Sequence, residues 1–250
     1  MKIDGQAVAA SMYDGLRGMP VPRARMVVVL MGAAAQSLSI GFDRVVFSSS
    51  ESQDTVLTRV QALAVDSSVG GIILQLPVPP QYDRHALIRA IGPAKDVDNL
   101  SGQAAVLPPS VRAVEAVLTA CKKNIRDYIA VRMVGNGVLV GAPIARFCAE
   151  SGISYEVTNS RTENIQNFVR DADLVITGVG KAGIVNADWL RDGAGAIDFG
   201  FPPDFNQVDL TRNAARLAFY TPTPNGTGPI LVACLFENFY SLCGPQSFQI

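Results

Sequence analysis

The run Tyr128-Ile129-Ala130-Val131-Arg132-Met133-Val134-Gly135-Asn136-Gly137-Val138-Leu139-Val140-Gly141 changes character at Gly135. Up to Val134 it is apolar and rich in β-branched residues, the pattern of a buried strand. Beyond it glycines recur, and over 143–151 apolar residues return at helical spacing. A strand that turns through glycines into a helix opens a βαβ unit. The same alternation extends outward in both directions. Strands are predicted at 25–31, 44–47, 71–76, 128–134, 153–157, 174–177, 196–199 and 217–220. Helices are predicted at 6–17, 53–64, 84–91, 110–122, 143–151, 165–170 and 229–242. Continuously apolar strands separated by helices imply an α/β fold with a mostly parallel sheet covered on both faces.

At a prior of ~150 residues per domain, 250 residues make one large domain or two small ones. Two breaks favour two. Val106-Leu107-Pro108-Pro109-Ser110 offers Ser110 as a helix cap, and Thr221-Pro222-Thr223-Pro224-Asn225-Gly226-Thr227-Gly228-Pro229 offers Pro229 as a first helical residue. The last helix is expected to pack back on the first half, giving domains 1–110 plus 230–250, and 111–229.

A composition of 48% hydrophobic and 17% charged residues supports a buried core and argues against disorder. With 21 basic and 22 acidic side chains the net charge is -1, which gives no reason to expect nucleic acid or a membrane surface as partner. The longest apolar run, 26–35, is shorter than the ~20 residues a bilayer requires. Met1-Lys2-Ile3-Asp4-Gly5 lacks the pattern of a secretory signal, so a cytoplasmic location is expected. Cys121, Cys148, Cys234 and Cys243 show no metal-ligand spacing; buried thiols and no metal site are expected. Only five of the basic residues are Lys, and His85 is the single His, so a Lys base or a His dyad has few candidates.

Gly135, Asn136, Gly137 and Gly141 have the spacing of a turn that lets a pyrophosphate approach the backbone at a helix N-terminus, a dinucleotide site. A tight βα turn without ligand would use the same glycines. After the next strand, Asn159-Ser160-Arg161-Thr162 carries no carboxylate for a ribose hydroxyl. Ser160 and Arg161 would suit a 2′-phosphate, favouring NADP over NAD, although a solvated loop explains them equally. Gln75 ends an apolar strand and must find hydrogen-bond partners there. Lys95-Asp96-Val97-Asp98 reads either as a turn with a surface ion pair or as a carboxylate facing a cleft. Such a carboxylate could grip a ring with adjacent N–H donors, such as a pterin.

These pieces occur in one order: Ile3-Asp4-Gly5, Gln75-Leu76-Pro77, Lys95-Asp96-Val97-Asp98, Val140-Gly141-Ala142-Pro143, Ala172-Asp173, Val179-Gly180-Lys181-Ala182-Gly183, Ala196-Ile197-Asp198-Phe199-Gly200 and the 221–229 loop. Over nearly the whole chain that order resembles the bifunctional methylenetetrahydrofolate dehydrogenase/methenyltetrahydrofolate cyclohydrolase family. The resemblance implies a discontinuous α/β folate-site domain, a Rossmann-like dinucleotide domain, a folate cleft between them and a homodimer. It implies hydride transfer from methylenetetrahydrofolate to NAD(P), then hydrolysis of the methenyl cation. Gln75 and Asp98 are the implied catalytic candidates, Asp98 on the pterin and Gln75 orienting the family's Lys. Ser37, Pro77, Gly228 and Pro229 join them on the folate side. Gly178 and Thr223 join Ser160, Arg161 and the glycine turn on the cofactor side.

The sequence also departs from the family. After Gly32 it reads Ala33-Ala34-Ala35-Gln36-Ser37-Leu38-Ser39-Ile40-Gly41. Ser37 matches the family Ser, but the family's Tyr, and the Lys four residues after it, have no counterpart. Lys2 and Lys95 are the only lysines of residues 1–110, and neither is free to replace it. The family's Gly-Arg-Ser turn is Gly135-Asn136-Gly137 here. Hydride transfer depends mostly on positioning, whereas hydrolysis needs proton handling worth ~10²–10⁴-fold. The expectation is therefore a methylenetetrahydrofolate dehydrogenase with weak or lost cyclohydrolase activity. The alternative is a degenerate homologue that binds folate or nucleotide, or serves in assembly or regulation.

Overall fold

Strands and helices alternate along the chain as the apolar runs and periodic segments do. The computed structural model describes residues 1–31, 43–158, 162 and 164–244. In order they form α1 (Gly5–Arg17), β1 (Arg25–Met31), β2 (Asp43–Phe47), α2 (Gln53–Val65), β3 (Val69–Leu74), α3 (Arg84–Ile91) and α4 (Pro109–Ala120). Then follow β4 (Val131–Val134), α5 (Gly141–Glu150), β5 (Tyr155–Val157), α6 (Ile165–Val169), β6 (Leu174–Thr177), β7 (Gly195–Asp198), α7 (Gln207–Arg212), β8 (Phe219–Tyr220) and α8 (Thr227–Cys243).

Two parallel sheets result, one ordered β2-β1-β3 and the other β5-β4-β6-β7-β8. Their central strands are buried on both faces, and the period of two assigns alternate residues to separate cores. In β1, Val27, Val29 and Met31 pack with Val56, Val60 and Leu87 of α2 and α3. The intervening Met26, Val28 and Leu30 pack with Phe239 and Cys243 of α8. In the larger sheet, Met133, Leu174, Ile176 and Ile197 face Val114, Leu118 and Ile144. Val134, Val175 and Ala196 face Val169, Phe205 and Leu210. Each of the Val, Leu, Ile, Met and Phe side chains contributes ~1.5–3 kcal/mol when fully buried.

The chain divides into two compact units, Met1–Gly15 with Ser110–Cys234, and Leu16–Pro109 with Leu235–Ile250. The sequence grouped 1–110 with 230–250 instead. The N-terminal residues accompany the five-stranded sheet for a hydrogen-bonding reason. Tyr220 N–H donates to Met1 O at 2.9 Å, and Ile3 N–H donates to Tyr220 O at 2.9 Å, so Met1-Lys2-Ile3 extends the sheet past β8. Ile3, Val8 and Met12 then join the core of Val111 and Val114.

Local boundaries shift for identifiable reasons. Pro109, pre-set for a first helical turn, starts α4; Ser110 is therefore not its cap, and its buried hydroxyl has no hydrogen-bond partner. α8 starts at Thr227, which makes Pro229 its third residue, where a missing N–H costs nothing. β4 begins at Val131 because Ile125–Asp127 forms a single 3-10 turn closed by an Asn124/Asp127 capping box. α7 was not expected; it is a short helix started by the Asn206 side chain, which accepts from Val208 N and Asp209 N.

Candidate functional site

In the first unit, β4 delivers the chain to Gly135, whose φ of 101° a side chain would resist. Gly135 N–H donates to the buried Thr158 hydroxyl at 2.8 Å, which fixes the turn to the end of β5. Gly137 O accepts from Val140 N at 3.3 Å and Ala142 N at 3.0 Å. A Cβ on Gly141 would lie 2.0 Å from Gly135 O, so only glycine lets α5 start against the turn. Gly178, just past β6, donates its N–H to Val134 O at 3.2 Å and lies beside Val140. Gly135, Asn136, Gly137, Gly141 and Gly178 are therefore brought together at one end of the sheet. No side chain caps the start of α5, so its positive end faces the glycine turn. The cradle suits a bound anion such as a pyrophosphate. Ser160 and Arg161 lie outside the described residues.

Beyond the sheet's C-terminal edge, sequence reasoning missed a polar hub. Asp198, at the end of β7, is 2% exposed. Its carboxylate accepts from Thr177 Oγ1 at 3.0 Å, Gly200 N at 2.7 Å and Phe205 N at 2.9 Å. Its own N–H donates to Thr221 Oγ1 at 2.8 Å, and its carbonyl accepts from Thr227 Oγ1 at 2.7 Å. Asp204, fully buried beside it, accepts from Val179 N and Lys181 N. Burial raises the Asp198 pKa, with Asp204 adding to the rise, while the Phe205 and Gly200 N–H groups oppose it. A carboxylate closing an apolar strand, Ala196-Ile197-Asp198, was the available signal.

The hub holds the 221–229 loop. Thr223 N–H donates to Gln207 Oε1 at 2.8 Å, and Asn225 O accepts from Gly5 N at 2.8 Å. Gly228 and Pro229 lie in the first turn of α8. Lys2, Ile3, Asp4, Pro222, Pro224 and Asn225 line a cleft of about 320 Å³ there.

In the second unit, Gln75 follows β3. Its N–H donates to Val29 O at 3.0 Å, and its side-chain amide turns onto Leu76 O at 2.8 Å, ahead of the cis Leu76–Pro77 bond. Ile72 and Asp96 form a parallel bridge, so the chains leading to Gln75 and Asp98 leave the sheet in the same direction. Asp98 is half-buried; desolvation of its carboxyl, with the neighbouring Asp96 adding to it, raises its pKa to about 7. Asp96 is itself buried and accepts from Leu100 N at 3.0 Å and Ser101 N at 2.8 Å. It is a turn-stabilising residue.

Lys95 does not pair with either aspartate. Its ammonium donates to Leu63 O at 3.2 Å and Asp66 O at 2.6 Å, at the C-terminal end of α2. Lysine at a helix C-terminus satisfies orphan carbonyls and the helix dipole. Ser37 and the departure after Gly32 lie outside the described residues. Among the described residues no cluster of potential metal ligands forms, and no helix is long and apolar enough to cross a membrane.

Comparison with known proteins gives two family matches. Residues 108–246 match "Tetrahydrofolate dehydrogenase/cyclohydrolase, NAD(P)-binding domain", and residues 20–98 match the catalytic domain of the same family. A protein of Lactobacillus gasseri described as "Bifunctional protein FolD" is 32% identical over 220 residues, 80% of this chain and 75% of that one. Another so described, from Acidiphilium cryptum, is 32% identical over 266 residues, 94% of this chain and 95% of that one. Among solved structures, the methylenetetrahydrofolate dehydrogenase-cyclohydrolase of Trypanosoma brucei, complexed with NADP and an inhibitor, matches with a TM-score of 0.84 at 26% identity. That match covers 97% of this chain and 96% of the other. A 5,10-methylenetetrahydrofolate dehydrogenase from the silkworm Bombyx mori matches with a TM-score of 0.81 at 25% identity, covering 98% of each chain.

Proposed function

The chain belongs to the tetrahydrofolate dehydrogenase/cyclohydrolase family, and from that premise we propose a methylenetetrahydrofolate dehydrogenase whose cyclohydrolase step is weak or lost. The glycine turn fits an NAD(P) pyrophosphate: glycine at 141, where a Cβ would lie 2.0 Å from Gly135 O, lets the uncapped N-terminus of α5 start directly against the turn. Gly135, Asn136, Gly137 and the α5 N-terminus would hold it, with Gly178 beside them; family likeness adds Thr223 on the cofactor side. Ser160 and Arg161 support NADP over NAD. A nicotinamide bound there supplies the acceptor for the hydride that leaves the folate methylene bridge.

The residues of the second unit bind and orient. Asp98, once ionised, accepts from adjacent pterin N–H donors, a charge-assisted pair that fixes the ring. Gln75 and Pro77 shape the strand end beside it. Positioning of this kind supports hydride transfer. Hydrolysis of the methenyl cation also needs a proton carrier close to the attacked carbon. The observation that carries the proposal is Lys95. It is the one lysine between Lys2 and Lys122, and its ammonium is held by Leu63 and Asp66 carbonyls.

A paired assay tests this reading. Purified protein with methylenetetrahydrofolate is expected to reduce NADP, and NAD less well, while methenyltetrahydrofolate accumulates. Methenyl hydrolysis is scored separately. Hydrolysis keeping pace with reduction would overturn the weak second step. No reduction with either cofactor would favour a homologue that binds without turnover. Family likeness also supports a cytoplasmic homodimer, for which sedimentation measures the state of association.

A further inference from the structure

We infer that Asn238 is the positioning residue for Asp98, an inference that rests on the reading of Asp98 as the pterin-binding group. Asn238 lies on α8 and is 0% exposed. Its amide nitrogen donates twice, to Val97 O at 2.9 Å and to Leu107 O at 2.8 Å. Val97 O belongs to the peptide unit whose N–H is that of Asp98. A peptide unit is planar, so fixing its carbonyl fixes the direction in which Asp98 leaves the chain. Leu107 O lies at the far end of the same excursion. One side chain therefore clamps both ends of residues 98–106.

The interior of that loop is tied separately. Asp96 holds Leu100 and Ser101, and Asn99, at φ 50°, donates to Val106 O and accepts from Ala104 N. The loop is thus internally rigid and anchored to β3 through Asp96, while Asn238 holds the carbonyls at its two ends. α8 comes close enough because β3 carries glycine opposite it: a Cβ on Gly71 would lie 2.5 Å from Val97 Cγ2 and 2.9 Å from Phe239 Cδ2.

Asn238 is a poor choice for stability alone. Its Oδ1 is buried without a hydrogen-bond partner. An apolar residue would remove that unpaired acceptor, at the expense of the donor to the Val97 and Leu107 carbonyls. What the position gains is the pair of donors, and both are spent on the loop that carries Asp98.

The test is calorimetric binding of tetrahydrofolate and of NADP to the full chain, under reducing conditions. The proteins are the parent, Asn238→Leu, Asp98→Asn and the double variant. Asn238→Leu is expected to weaken tetrahydrofolate about tenfold, the scale of one lost, well-placed hydrogen bond. NADP affinity should stay within about twofold, and the double variant should bind tetrahydrofolate no more weakly than Asp98→Asn alone, because the two act through one contact. If Asp98→Asn leaves tetrahydrofolate binding unchanged, the reading of Asp98 itself fails. If Asp98→Asn weakens binding while Asn238→Leu does not, the positioning role is overturned. Additive losses, or an equal loss of NADP binding, overturn it as well. Should Asn238→Leu not fold, Asn238→Asp keeps the shape, removes the amide donors and is judged by the same criteria.

Discussion

Asp98 joins a tied loop to a carboxyl that titrates at about 7 rather than 3.8. The sign of its effect on stability follows from proton binding. Below about pH 4 the group is protonated in folded and unfolded chain alike; between about 4 and 7 only the unfolded chain releases its proton. Asp98 therefore lowers stability progressively as pH rises through that window, and by a constant amount above it. Asp98→Asn should gain stability over the parent between about pH 4 and pH 7, read by urea unfolding at several pH values. Parallel pH curves for the two proteins would contradict the assignment. Tetrahydrofolate affinity should rise through the same pH as the carboxylate forms. Lys95 makes the opposite case, a chemistry-bearing residue in a structural post. Lys95→Met should lower stability by about 1 kcal/mol through the lost bonds at the end of α2, with NADP affinity unchanged. Thermal unfolding and cofactor titration measure the two effects.

At the scale of elements, glycine decides how close two pieces of backbone come. Gly141→Ala places a methyl against Gly135 O and forces α5 away from the turn. A loss of about 1–3 kcal/mol is expected, with NADP binding reduced more than tetrahydrofolate binding. Unchanged cofactor affinity in that variant would remove the turn from the cofactor site. Elements are also where the sequence was most readable. β1, α3 and β6 have the predicted limits because continuous apolar strands and a capped amphipathic helix give strong local signals. α7 escaped because a six-residue helix started by Asn206 carries too few periods to register. The glycine turn was visible as a spacing. The Asp198 hub and the Asn238 clamp were not, because each joins residues far apart in sequence: Asn238 is 141 positions from Val97. Hydrogen-bond partners at that separation leave no local periodicity. The same limit applies to Lys95, whose carbonyl partners are 32 and 29 positions away.

On the scale of the whole chain, each ligand should stabilise the fold it binds. At about 100 times its Kd, NADP or tetrahydrofolate should each add ~2.7 kcal/mol to unfolding stability. Differential scanning fluorimetry with each ligand checks this, and a ligand that leaves the unfolding temperature unmoved does not bind the native protein. The division of the chain has a further consequence, in time rather than space. The five-stranded sheet needs Met1–Gly15 beside Tyr220, and the three-stranded sheet needs Phe239 and Cys243 of α8. A ribosome releases these pieces in order, so the first unit holds its N-terminal segment unpaired until β8 emerges. The second exposes the Met26, Val28 and Leu30 face of β1 until α8 is made. Long-range closure of this kind slows folding and lengthens the exposure of apolar strand faces. Newly made chains stalled before residue 219 are therefore the form of this protein with most need of a chaperone.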